Sequence, residues 1–280
     1  MNSKQQTKQS HPGSAVLKAL VMISAIVTFA VLIFLIGFII AKGIGYLKPS
    51  LFALKYDSEN VSLFPAAVNT VIMTILTLVI AVPIGVFAAI FLVEYSGKES
   101  KIVKIIRMTA ETLSGIPSIV YGLFGMMFFA TTLKWGMSIL SGSFTMVIMI
   151  LPLVMRTTEE ALKAVPDTYR EASFGLGAGK LRTIFKIVLP AAIPGILAGV
   201  ILATGRIVGE TAALIFTAGT VAQIPSSLFG SGRTLAVHMY ALSNEGLHMN
   251  EAYATAVVLL VIVLLINGLS NLIARKFVKA

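Results

Sequence analysis

Arg206 and Glu210 stand four residues apart in RIVGETAAL, inside a run that is otherwise uncharged from Ala191 to about Ala218. On a continuous helix that spacing puts both side chains on one face. A charge at the centre of a bilayer is unfavourable by about 2.5–3.5 kcal/mol on insertion scales, so such residues normally face protein or water. A guanidinium offers a phosphate-like oxyanion two parallel hydrogen bonds, and a nearby carboxylate can hold it when no anion is present. The pair therefore suits an anion pathway. The competing reading is a permanent ion pair that only locks helices together, since buried pairs are often purely structural.

No catalytic set accompanies these two residues. The chain has no cysteine, and its three histidines, His11, His238 and His248, are scattered, so it offers no disulfide, thiolate site or metal-ligand cluster. The nearest approach to a phosphate loop is FGLGAGKL, which has Phe174 where the first glycine belongs and Leu181 where Ser or Thr is needed. No catalytic, cofactor or metal site is expected, and any ATP must be hydrolysed on another subunit. The net charge of +10 is shared among several short segments with no groove-reading motif, which suits anionic membrane lipids and not nucleic acid.

A second motif lies just before the charged run, in EASFGLGAGKLRTIFKIVLP at Glu171–Pro190. Residues 167–174 suit a short helix with Asp167 as N-cap, Tyr169 and Phe174 as apolar contacts, and Arg170 and Glu171 as polar ones. Gly175, Gly177 and Gly179 then supply the unusual backbone that ends a helix and returns the chain to the bilayer. Such a knob fits a groove on a partner. An ordinary amphipathic connector lying on the bilayer is the bland alternative.

The elements that position both motifs follow from composition. With 57% hydrophobic and 12% charged residues, the chain is a polytopic membrane protein. A spanning helix needs about 20 apolar residues, and six are expected: Ala19–Ala41, Ala66–Val93, Thr112–Leu133, Trp135–Met155, Ala191 to about Ala218, and Ala252–Ala274. Residues 1–18 read as a polar, disordered tail. The first apolar run lacks a cleavage site and is read as a retained span. Sixteen of the 22 Lys and Arg residues fall in the N-terminal tail, the second and fourth connectors and the C-terminus; five fall on the other side, and Arg206 lies within a span. The positive-inside rule then places both termini and the Glu171 loop in the cytoplasm.

Between the spans, Tyr95–Glu111 has the amphipathic pattern of an interfacial helix, which can equally pack on an ATPase. In SGIPSIVYGLFG (Ser114–Gly125) the proline suits either a first turn or a broken helix aiming N–H groups at an anion. Pro83 is expected to kink the second span. The stripes Gly195/Gly199/Ala203 and Gly205/Gly209/Ala213 are assigned to packing, with the core and a second permease subunit. The external loop from about Thr220 to Glu251 contains a flexible turn at Gly230–Gly232, and is read as a partner surface or a re-entrant or capping segment.

Glu171, Ala172, Gly177, Ile187, Leu189 and Pro190 match the EAA loop of binding-protein-dependent ABC importers, with Ser173 where a second alanine is expected. Together with RIVGETAAL, SGIPSIVYGLFG and VLPAAIPGILAGVILA, the chain after Ala66 resembles the PstA-type phosphate-importer permeases, with the PstC-type sister subunit, which shares related motifs, as the alternative. The resemblance implies an all-α, type I ABC importer (MetI-like) fold. It divides the chain into an accessory span (19–41), an external connector (42–65), a five-span core (66–274) with a coupling loop at about 156–190, and a cytoplasmic tail (275–280). It also implies a bacterial or archaeal inner membrane, a dimer of ABC ATPase subunits carrying ATP and Mg, a second homologous permease, an external phosphate-binding protein, and inorganic phosphate as cargo. Arg170 joins the coupling loop on this reading. A related oxyanion importer stays open; a secondary anion transporter would show paired inverted repeats, and none is visible. A membrane-embedded enzyme is disfavoured because Arg206 and Glu210 are the only charges within the spans.

Overall fold

The computed structural model describes residues 12–96 and 100–279, which are helical with no strand among them. Five helices are long and apolar enough to cross a membrane, and a bent pair, Lys101–Ser114 with Ser118–Thr132, makes a sixth crossing if it is counted as one span. In chain order the helices are α1 (Pro12–Gly43), α2 (Phe64–Ile90), α3 (Lys101–Ser114), α4 (Ser118–Gly125), α5 (Ile139–Lys163), α6 (Asp167–Gly175), α7 (Lys180–Thr183), α8 (Leu189–Gly209), α9 (Ala212–Thr217), α10 (Leu235–Glu245) and α11 (Met249–Lys279). Three π-helical segments extend or join them, at Phe91–Tyr95, Met126–Thr132 and Ile184–Val188.

Several expected boundaries move. Residues 12–18, expected in the polar tail, belong to α1, while the rest of that tail, with Lys4, Lys8 and His11, lies outside the described residues, as does Lys98. The last helix runs through the expected C-terminal tail to Lys279. The third span is not one helix from Thr112. α3 ends at Ser114, and the chain turns by 99° before Ser118–Thr132. Pro117 sits at the turn as the N-cap of α4, where its extended backbone and missing N–H are tolerated. The amphipathic helix expected at Tyr95–Glu111 is α3, Lys101–Ser114, with Val103 buried and Ile102, Ile105 and Met108 exposed, while Tyr95 closes the π-helical end of the preceding span. Trp135 precedes the fourth span and does not begin it; α5 starts at Ile139 and continues to Lys163. α2 passes through Pro83 as one span.

α5 is the most enclosed span, between α2 and α8. Lipid is as apolar as leucine, so helices in a bilayer associate through close packing of small residues. A Cβ on Gly85 would meet Val154 at 2.8 Å, one on Gly195 would meet Ala161 at 2.6 Å, and one on Gly199 would collide with Thr157. The Gly195/Gly199/Ala203 stripe therefore faces α5 of the same chain. A Cβ on Gly205 or Gly209 would meet nothing within 4 Å beyond its own helix among the described residues. α1 is apolar all round and packs chiefly on α11, where Gly43 lies against Tyr253 and Val257. Such a helix suits a membrane span, and none of its most apolar stretch is buried within the protein.

The first N–H groups of α5 have no partner within their own helix. Ser138, Ile139 and Leu140 donate instead to Thr217 O (2.9 Å), Gly230 O (3.0 Å) and Leu228 O (2.9 Å). The Gly230–Gly232 turn, expected to be flexible, is thus bonded to the start of the central span. Gly232 also donates to Ala218 O.

Candidate functional site

The Glu171 loop is an ordered knob. Asp167 is the first residue of α6 and not its N-cap; Pro166 holds that position, and the Asp167 carboxylate turns to Arg170. At the other end Gly177 N donates to Phe174 O (2.9 Å) and Ala178 N to Ser173 O (3.1 Å), the double bond of a Schellman C-cap. That cap requires a left-handed residue, and Gly177 has φ +82°. Gly175 is helical and Gly179 extended, so only Gly177 of the three needs glycine's freedom. Leu176 at the tip is 90% exposed, and a groove of about 470 Å³ runs beside it, lined by Tyr169, Ala172, Ser173, Gly177, Arg182 and Ile187 among others. Glu171 is exposed and has no ion-pair partner within 4 Å among the described residues.

Ser173 is buried, and its Oγ lies 2.8 Å from Thr183 Oγ1, tying α6 to α7. Arg170 also turns inward, although the motif grouped it with the docking surface. Its Nε and Nη2 bond Glu94 Oε1 (3.1 and 2.7 Å), Nη2 reaches Leu162 O (3.0 Å), and Nη1 reaches Val165 O (2.9 Å) and Asp167 Oδ1 (3.2 Å). Beyond the loop, Ile187 closes the groove wall from the π-helical stretch, and Leu189 and Pro190 open α8, where the missing proline N–H costs little.

Arg206 and Glu210 are not brought together. α8 ends at Gly209, and Glu210 leaves the helix at φ −71°, ψ 131°. Its Oε1 accepts the Ala213 N–H at 3.0 Å, closing the first turn of α9. The expected Arg206–Glu210 pair on one face therefore does not form. Arg206 is half-buried in the last turn of α8, within electrostatic reach of Tyr121, and makes no ion pair within 4 Å among the described residues. Gly122 of α4 lies so close to α9 that a Cβ there would meet Ala213 Cα at 2.8 Å. The glycine in this part of SGIPSIVYGLFG serves that approach.

Motif reading missed a charged cavity of about 560 Å³ between α3 and α5, lined by Arg107, Glu111, Arg156, Glu159, Glu160 and Lys163 among others. Arg156 and Lys163 had counted only toward membrane orientation. Because α5 runs on to Lys163, these charges ride on the central span itself. Buried Glu159 sits 2.7 Å from Arg107 Nε and 2.6 Å from Lys163 Nζ, ion pairs by distance, though neither contact is aligned as a hydrogen bond. The spacing of Glu159 and Lys163, four apart with the acid first, was the available signal.

At the opposite end, Arg233 is 4% exposed with its guanidinium 4.8 Å from the Tyr56 ring centre, and His238 of α10 is fully buried edge-on to the same ring. Burial, reinforced by the Arg233 charge, pushes the His238 pKa down to about 3. The imidazole is therefore neutral at ordinary pH.

The helical core, the broken third span and the knob between the fourth and fifth spans are those of an ABC-importer permease subunit. The chain belongs to the family described as binding-protein-dependent transport system inner membrane component, whose pattern matches residues 81–279. A probable ABC transporter permease protein YqgI of Bacillus subtilis (strain 168) is 33% identical over 261 residues, covering 87% of this chain and 88% of that protein. A phosphate transport system permease protein PstA of Yersinia pestis is 32% identical over 274 residues, covering 92% and 89%. Among solved structures, a bacterial ABC transporter involved in the import of the acidic polysaccharide alginate superposes with a TM-score of 0.68 at 16% identity, over 94% of this chain and 96% of that chain. The inward-facing MetNI methionine ABC transporter gives 0.62 at 19% identity, over 77% and 94%. This is a multi-pass membrane protein and a transport component.

Proposed function

We propose that this chain is the PstA-type permease subunit of an ATP-driven importer of inorganic phosphate, forming half of the pathway with a second permease. The observation that carries the reading is the 32% identity, over 92% of the chain, to a phosphate transport system permease protein. Arg206 supports it: a half-buried guanidinium with no carboxylate within 4 Å among the described residues can take an oxyanion through its fork. The apolar groove beside Leu176 is the docking face for a separate ATPase dimer, which carries ATP and Mg. An external phosphate-binding protein delivers the cargo at the end carrying Arg233. The lysine and arginine distribution puts the Glu171 loop and both termini in the cytoplasm, in the inner membrane of a bacterium or archaeon.

The energetics call for coupling to ATP. Moving an anion into an inside-negative cell costs about 2.3 kcal/mol per charge per 100 mV, and each tenfold of accumulation adds about 1.4 kcal/mol. In vesicles reconstituted with this chain, the second permease, the ATPase and the external binding protein, labelled phosphate should accumulate only when ATP is present on the ATPase side. Accumulation driven by an ion gradient without ATP would reject the reading in favour of a secondary transporter.

A further inference from the structure

The span that reaches the knob from the side of α3, α2, changes winding before it ends. It is α-helical to Ile90 and π-helical over Phe91–Tyr95. A π turn admits an extra residue and so re-aims the side chains that follow. Here it presents Glu94 and Tyr95 to opposite flanks of the knob. Glu94 meets Arg170 in α6, before the Gly177 turn; the Tyr95 ring lies 4.7 Å from Lys180 Nζ, which opens α7 after that turn. The two flanks are themselves joined through Ser173 and Thr183.

The Glu94–Arg170 contact is the stiffest of these links. Both donors on one edge of the guanidinium converge on a single carboxylate oxygen, at 3.1 and 2.7 Å. The side chains are only 9% and 14% exposed, so solvent and salt screen them little. The remaining donors hold Leu162 O and Val165 O, carbonyls at and just past the end of α5. One side chain on the knob therefore grips the ends of two spans, α2 and α5, that pack closely at Gly85 and Val154. The exposed apolar side chains of the knob, Tyr169, Phe174 and Leu176, offer no comparable fixed direction, because apolar contacts slide.

We propose that Glu94–Arg170 is the strut through which displacement of the knob by the ATPase reaches α2 and α5. Arg170 is a positioning residue on this account, and the ATPase surface is left to its exposed neighbours. The proposal rests on the importer reading above.

The test uses the assembled complex in vesicles, scored for ATPase retained on purification and for phosphate moved per ATP hydrolysed. Glu94→Gln and Arg170→Gln should keep the ATPase bound and hydrolysing while phosphate moved per ATP falls by about tenfold. Arg170→Lys, which keeps charge without the fork, should fall between. The exchange Glu94→Arg/Arg170→Glu should recover part of the loss, which general destabilisation would not allow. Because the chain has no cysteine, Glu94→Cys/Arg170→Cys can be bridged by a short bis-maleimide. Bridging should restore coupling if the variant is assembled and lacks only the tie. Coupling at the wild-type ratio in Glu94→Gln, or loss of the ATPase from the Arg170→Gln complex, would overturn the strut. Failure of the wild-type complex to move phosphate with ATP would instead overturn the importer reading, and shows without any variant.

Discussion

Glu210 Oε1 accepts the backbone N–H of Ala213 at 3.0 Å, so the carboxylate caps the short helix α9 and Arg206 has no acidic partner within 4 Å among the described residues. This separates two roles that four-residue spacing would merge. Glu210→Gln keeps an acceptor and should change stability by only a few tenths of a kcal/mol, whereas Glu210→Ala should cost about 1 kcal/mol in thermal unfolding of the purified subunit. Arg206→Met should abolish most phosphate uptake at normal membrane abundance. Arg206→Met/Glu210→Met should remain impaired. Recovery of uptake in that double variant would mean that the two residues serve only as a pair.

Gly177 is the position in the knob where a side chain meets backbone strain, at φ +82°. Gly177→Val should cost about 1–2 kcal/mol locally and open the Schellman cap. Crosslinking from Leu176 to the ATPase should drop while the subunit still inserts. Unchanged crosslinking together with normal uptake would remove the knob from the coupling path.

The Ser173–Thr183 bond carries an asymmetric prediction. Thr183 Oγ1 also reaches Gly179 O (3.3 Å), so Ser173→Ala leaves it a partner and should cost about 0.5–1.5 kcal/mol. Ser173 Oγ has no second partner among the described residues. Thr183→Val should therefore strand a buried hydroxyl and cost about 1–3 kcal/mol, with Ser173→Ala/Thr183→Val less harmful than the single valine. Equal losses in the two single variants, measured as unfolding in detergent, would contradict the geometry.

His238 makes stability depend on pH in a stated direction. Its folded pKa, about 3, lies below the ordinary 6.5, so the unfolded chain binds the extra proton between those values. The contribution is complete above pH 6.5 and is lost as pH falls toward 3, about 2 kcal/mol having gone by pH 5. Its ring nitrogens find no hydrogen-bond partner among the described residues, so His238→Phe should preserve stability at pH 7 and flatten this part of the slope. A parallel pH profile for wild type and variant would sink the assignment.

Orientation can be tested with single cysteines, since the chain has none of its own. Ser173 is buried, and exposed Thr168 on the same knob is the better label site. A membrane-impermeant maleimide should reach Ser226→Cys in intact cells and Thr168→Cys only after permeabilisation. The reverse pattern would invert the topology.

The sequence by itself determined the solvent, five of the apolar helices and the place of the knob. Each of these is a local property: uninterrupted apolar length, the sign of charges between runs, and a glycine at the one site that needs positive φ. It also singled out Arg206, because a charge inside an apolar run is visible without coordinates. Tertiary structure decided which way those residues face and what they touch. Arg170 and Glu94 are 76 positions apart and meet only because α2 ends in a π turn beside the end of α5. The break at Glu210 was hidden for the opposite reason. Helical periodicity continues through RIVGETAAL on paper, yet the chain leaves the helix there; Glu210 caps α9, and α9 packs against Gly122 of α4. Contacts between distant segments have no signature in the spacing of either, so a reading along one chain finds the charges and misses their partners.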